Sequence, residues 1–119
     1  MTDHDAPPDR EKLARAAGDR RFWFWVRDES PVSMAGIVRR TRHTAAIAGV
    51  YTPPALRGRG YAGSVTAAVV DQIQGEGRTT ACLHTDRRNP SSNRCYSRIG
   101  FQPVSASLHI PRLRHLSTV

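Results

Sequence analysis

Apolar and polar positions change their period along this chain, and the changes mark its elements. RFWFWVRD, Arg21 to Asp28, has apolar side chains on both faces of an extended segment and predicts a buried strand. PVSMAGIVRR, Pro31 to Arg40, and TAAIAGVYT, Thr44 to Thr52, predict two more. Their short connections make the three an antiparallel meander. The period then becomes helical, with Ala62, Val65, Ala68, Val69 and Ile73 on one stripe and Gly75 and Gly77 as the stop. TTACLHT, Thr79 to Thr85, predicts a buried strand parallel to the one starting at Thr44, because a helix crosses over between them. NPSSNRCYSRIG predicts a second helix, with Asn89 as N-cap, Pro90 in the first turn and Gly100 just past the end. The tail QPVSASLHIPRL closes with one or two strands. Ahead of the meander, DREKLARAAGD, Asp9 to Asp19, predicts a short helix capped by Asp9, striped by Leu13, Ala16 and Ala17, and stopped by Gly18. Residues 1–8 are expected to be disordered.

This order gives an α/β (α+β) domain: a mixed, mostly antiparallel central sheet with helices on both faces. A chain of 119 residues holds one such domain. No apolar run approaches the roughly 20 residues of a membrane span. The acidic, Pro-rich start is no signal peptide, so a cytoplasmic location is the default. Cys82 and Cys95 lack metal spacing and are expected to be buried thiols.

The net charge of +8 favours anionic partners, and all but one of the 18 basic residues are arginine. Nucleic acid ranks last among these partners. The arginines are scattered between elements, and no arginine–aromatic surface pattern accompanies them.

The chemistry concentrates in VYTPPALRGRGYAG, Val50 to Gly63, where two phosphate-binding fingerprints overlap. Gly58, Gly60 and Gly63 spell G-x-G-x-x-G, the dinucleotide pattern. That pattern needs a strand running straight into its first glycine and an acidic residue roughly 20 positions on. Pro53 and Pro54 end the strand too early. Arg78 stands at the acidic position, and Asp86 lies well beyond it. Arg57, Gly60 and Ala62 spell the other pattern, R-x-x-G-x-A. A strand, a glycine turn and a helix start suit it. Helix N-termini leave N–H groups unpaired and carry partial positive charge, so a pyrophosphate fits there.

VYTPPALRGRGYA together with LHTDRRNPSSNRCYSRIGF resembles the GNAT superfamily of N-acetyltransferases over residues from Phe22 to about Val104. The first stretch is similar to the family's [QR]-x-x-G-x-[GA] signature. The second is similar to N-x-x-[AS]-x-x-x-Y-x-x-x-G-F, with Asn89, Ser92, Tyr96, Gly100 and Phe101 in register. The resemblance implies acetyl-CoA as cosubstrate and a primary amine, on a small molecule or a protein, as acceptor. It implies that the amides of Gly58 to Gly63, including Gly60, Tyr61 and Ala62, hold the pyrophosphate, with charge from Arg57 and Arg59. It implies that backbone groups of Val50, Tyr51 and Thr52 pair with the pantetheine arm. Asn89 contacts the cosubstrate, caps its helix, or does both. Tyr96 takes the role of proton donor to the leaving thiolate. A core tyrosine is the alternative.

Two departures follow from the same resemblance. Relatives often carry a glutamate on the strand before the loop, and TAAIAGV has no carboxylate. His43, His84 and Asp86 are conceivable bases, as is a water chain or an amine already neutral. The segment ahead of the first strand is also short for the family, so a partner subunit, such as a second copy, could complete the acceptor wall. A catalytically weak acyl-CoA-binding module is the alternative function.

Overall fold

The computed structural model describes residues 10–18, 21–84, 90–104 and 107–110. In chain order the elements are β1 (Glu11–Arg15), β2 (Phe22–Arg27), β3 (Ser30–Arg40), β4 (Thr44–Tyr51), α1 (Tyr61–Gly75), β5 (Thr80–His84), α2 (Pro90–Ile99), β6 (Gln102–Val104) and β7 (Ser107–Ile110). The strands form one sheet in the order β1-β2-β3-β4-β5-β7-β6. Among the described residues only the β4–β5 pair is parallel, in register from Thr44 opposite Thr80 to Ile47 opposite Leu83. The mixed, mostly antiparallel sheet expected from the pattern is therefore the sheet observed.

One face of this sheet carries the core. Trp23, Ala35, Ile37, Ala45, Ile47, Ala81 and Leu83 pack against Val65, Val69, Val70 and Ile73 of α1, and Tyr96 and Phe101 join the same cluster. The buried α1 positions recur at helical spacing, and each fully buried aliphatic side chain contributes about 1.5–3 kcal/mol. Both described helices lie on this one face and not on both faces as expected, because successive crossovers that advance across a sheet with one hand keep their helices on one side. The other face presents Phe22, Phe24, Met34, Ala46 and Ala48 half-buried and Val38 exposed.

Within the segment expected to be a helix from Asp9 to Asp19, Glu11–Arg15 is instead the strand β1, and Asp9 and Asp19 lie outside the described residues. Glu11 to Arg15 pair antiparallel with Arg27 to Trp23. A helix of that length is marginal even in Ala-rich sequence, whereas β2 without β1 would leave its edge N–H and C=O groups unpaired. Side chains add to the pairing. The Trp25 indole N–H donates to Glu11 at 2.6 Å, and the Arg15 guanidinium stacks 4.5 Å from the Trp23 ring centre.

A candidate acyl-donor site at the strand–loop–helix junction

The site begins where β4 leaves its neighbours. Gly36 opposes Ala48, yet Met34 opposes Tyr51, so β4 has an extra residue between these pairs. Gly49, at φ +69°, sits inside this bulge. A bulge bends and twists its strand. Among the described residues, pairing with β5 stops at Ile47, and Ala48 to Tyr51 continue beside β3. The result is a wedge between β4 and β5 at the end where the loop begins.

The end of β4 is held by buried polar groups. The Ser33 hydroxyl donates to the Tyr51 carbonyl at 3.0 Å and lies 2.8 Å from the Thr52 hydroxyl. Ser33 has one hydroxyl hydrogen, and a carbonyl can only accept, so Thr52 donates to Ser33. Ser33 is 4% exposed and Thr52 8%. The Arg57 Nε–H donates to the Thr52 carbonyl at 2.8 Å, and its guanidinium lies 5.7 Å from the centre of the Tyr51 ring. Of the backbone groups of Val50, Tyr51 and Thr52 expected to pair with a pantetheine arm, the Tyr51 and Thr52 carbonyls thus already accept from side chains of this chain. Each keeps a second lone pair.

Past a single 3₁₀ turn at Pro54–Leu56, Gly58 and Gly60 adopt φ +80° and +85°. A Cβ on either would meet nothing within 4 Å, so backbone conformation and not space makes these positions glycine. Gly60 is the N-cap of α1. It supplies no side-chain cap, and the first turn holds no acidic residue. The first helical bond is Ser64 N–H to the Gly60 carbonyl at 3.0 Å. The amides of Tyr61, Ala62 and Gly63 precede it and have no intrahelical acceptor. Their donors and the dipole suit an anion with closely spaced oxygens.

Side chains here turn inward. Tyr61 is 5% exposed, and its hydroxyl accepts from Arg27 Nη1 of β2 at 2.7 Å. Gly63 faces α2, where an added Cβ would stand 3.0 Å from Cys95 Sγ. Ala62 is half-buried, Val50 is half-buried and Arg59 is exposed. Tyr96 lies on α2, 7% exposed, edge-on to Phe101 with ring centres 6.1 Å apart. Burial, and next the neighbouring Cys95, push the Tyr96 phenol above its ordinary range, so it holds its proton at neutral pH. Burial likewise raises the free thiols of Cys82 and Cys95.

Of the expected site residues, the structure brings Tyr51, Thr52 and Arg57 into direct contact. It sets Gly58 to Gly63 in one loop and helix start, and sets Tyr96 one residue from the Cys95–Gly63 contact. Asn89 and Asp86 lie outside the described residues. His43 immediately precedes β4 at its far end, where its carbonyl accepts from the Thr79 and Thr80 amides, both at 3.0 Å. Sequence reasoning missed Ser33 and Arg27, which read as ordinary strand positions. Gly49 carried a signal, since a lone glycine within a strand marks a bulge. Among the described residues no His, Cys, Asp and Glu cluster could hold a metal, and no helix is long and apolar enough to cross a membrane.

A glycine loop that leads from a strand end into bare helix amides suits an anionic, nucleotide-type ligand. Comparison with known proteins agrees. Residues 2–101 match the Acetyltransferase (GNAT) family, and the chain belongs to it. It is thereby an acyltransferase, of a family whose acyl donor is acetyl-CoA. The fold is similar to that of Ard1 from Thermoplasma volcanium, with a TM-score of 0.71 at 15% identity over 80% of this chain and 72% of that one. It is similar to yncA from Salmonella typhimurium, solved with its cofactor acetyl-CoA, with a TM-score of 0.68 at 16% identity over 79% and 65%. It is also similar to an N-acetyltransferase from Staphylococcus aureus, with a TM-score of 0.67 at 14% identity over 76% and 66%. No curated protein matches the chain.

Proposed function

We propose that this chain transfers an acetyl group from acetyl-CoA to a primary amine by direct attack, without an acyl-enzyme. The bare first turn of α1 carries the reading. Its amides sit behind two positive-φ glycines that open the approach. The amides of Gly58 to Gly63 hold the pyrophosphate, each hydrogen bond to the charged group contributing about 1.5–3 kcal/mol. The exposed Arg59 adds charge. The arm then runs along Val50 to Thr52 into the wedge, and Asn89 meets the cosubstrate from the start of α2.

In the transfer, the amine lone pair forms the C–N bond at the thioester carbonyl carbon and the C–S bond breaks. The departing thiolate takes the hydroxyl proton of Tyr96. The ammonium formed at nitrogen loses its proton, through water, and the phenolate is reprotonated. The products are the N-acetyl amine and free CoA thiol. A phenol kept protonated by burial suits the donor's part and not the base's.

Calorimetric titration with acetyl-CoA, with NAD as control, tests the donor site. Amine-dependent thiol release tests the transfer. Binding of acetyl-CoA and not NAD is expected. No binding of acetyl-CoA overturns the reading. Binding with no thiol release across a broad set of amines and lysine peptides reduces the chain to an acyl-CoA-binding module.

A further inference from the structure

We infer that Arg57 and Ser33 are positioning residues of the donor cradle, acting through the end of β4 and not on the phosphates. The inference rests on the proposed acetyl-CoA site and names what holds it in shape.

Arg57 is the cation that a phosphate-binding fingerprint would assign to the pyrophosphate. Its Nε–H is spent instead on the Thr52 carbonyl, 2.8 Å away, and its guanidinium lies over the Tyr51 ring. Both contacts reach back five and six residues along the chain, across the 3₁₀ turn. They close the loop that leads from the strand into the two positive-φ glycines. Ser33 closes the other side of the same strand end, donating to the Tyr51 carbonyl and accepting from the Thr52 hydroxyl. Tyr51 and Thr52 are thus gripped from β3 and from the loop at once. The grip lies past the last described pair of β4 with β5, so among the described residues no sheet pairing on that side fixes the strand. A cradle made of main-chain amides binds well only when its φ and ψ are already set, because ordering it on binding costs affinity. The grip supplies that order.

Bond counting gives a discriminating variant. The amide nitrogen of Gln lies as many bonds from Cα as the Nε of Arg. Arg57→Gln therefore keeps the donor to the Thr52 carbonyl and removes the charge. Arg57→Met keeps the length and removes both. If Arg57 orders the loop, acetyl-CoA binds Arg57→Gln within about threefold of the unmodified protein, while Arg57→Met binds at least tenfold more weakly. Ser33→Ala weakens binding about tenfold, and Ser33→Thr restores most of it. With a saturable amine in hand, the loss appears in KM for acetyl-CoA, with kcat within about twofold.

Titration calorimetry on the four variants, beside thermal melting of each, decides. Arg57→Gln as weak as Arg57→Met shows that charge on the phosphate is what matters and overturns the inference. Variants that melt lower yet bind acetyl-CoA as the unmodified protein does show a purely structural role and overturn it too. Should Arg57→Met fail to fold, the Ser33→Ala and Ser33→Thr pair decides by the same readout. Failure of the unmodified protein to bind acetyl-CoA is a different result, and it removes the proposed donor site itself.

Discussion

Gly63 and Cys95 fix how closely α1 and α2 approach, and a double-mutant cycle measures this. A Cβ at Gly63 would lie 3.0 Å from Cys95 Sγ. Non-bonded heavy atoms prefer about 3.5–4.0 Å, so the helices must part by about 0.5 Å or more to admit it. Overpacking of this kind costs about 1–3 kcal/mol. Glycine to alanine in a helix interior returns up to about 1 kcal/mol, and less in a first turn. Gly63→Ala alone is therefore expected to lose about 1 kcal/mol. Cys95→Ala removes the sulfur that the new methyl would strike. In that background Gly63→Ala should gain about 0.5 kcal/mol, because only the helix term remains. The coupling energy is then about 1–2 kcal/mol, within the range seen for residues in contact. Urea unfolding reads it directly, since slopes of about 1–3 kcal/mol per molar turn 1 kcal/mol into a midpoint shift of about 0.3–1 M. Turnover gives a second readout. Tyr96 follows Cys95 on α2, so Gly63→Ala should lower kcat and the double variant should recover it. Additivity of the two substitutions within about 0.3 kcal/mol would show that the helices do not meet at this pair, and would refute the reasoning.

Tyr96→Phe should lower kcat by at least about 100-fold and leave acetyl-CoA affinity within about twofold, read by steady-state kinetics and calorimetry; an unchanged kcat removes Tyr96 from the proton path. Because its folded pKa is raised, the stability tied to Tyr96 is complete below the ordinary tyrosine range near 10 and is lost as pH rises through it, so alkaline unfolding should be less steep in Tyr96→Phe. Glu76 is the opposite case. The Arg40 hydrogen bond, followed by the charges of Arg40 and Arg78, holds its carboxyl below the ordinary range, so its contribution is present above pH 4.5 and fades as pH falls. Glu76→Gln should cost about 0.5–1 kcal/mol at pH 7 and progressively less as pH falls below 4.5, measured by urea unfolding across that range. With no carboxylate on β4, the rate should follow the neutral fraction of the amine. The apparent pKa of kcat/KM should then move with the pKa of the amine across a series; one constant pKa for all would reveal a base on the protein.

The meander, the parallel strand and both helices were legible because each has a period, a cap or a stop of its own. β1 was not, because EKLARAA has genuine helix propensity and its strand character comes from elsewhere. What decides it is the open edge of β2, seen only once β2 is placed, together with Trp25 and Trp23 reaching for Glu11 and Arg15. The loop at Gly58 and Gly60 was legible for a similar reason to the helices. Positive φ leaves a trace in residue type. The β3 half of the grip on Tyr51 and Thr52, and the anchor of Tyr61 on β2, left none. A serine in PVSMAG and an arginine at the end of FWFWVR look like any strand residues. Their partners lie 18 and 34 positions away, beyond the reach of local pattern.

The same contrast shapes what charge does in this molecule. Seventeen arginines invite the reading that side-chain cations hold the donor. The described contacts use several of them otherwise. Arg57 ties the loop to β4, Arg27 anchors Tyr61 at the first residue of α1, and Arg40 and Arg78 join Glu76 at the far end of that helix. Each fixes main chain at a place where helix or strand pairing has run out. On the proposed reading, the anion meets mainly main-chain donors that carry no formal charge, with Arg59 adding charge. A bound phosphate held by side-chain cations loses affinity steeply as salt screens them, whereas amides pointing into a partly closed turn are screened far less. On the proposed reading, cradle geometry therefore outweighs net charge in setting donor affinity. The +8 of the chain acts over longer range, raising the encounter rate with any polyanion, acetyl-CoA among them, without choosing which one is held.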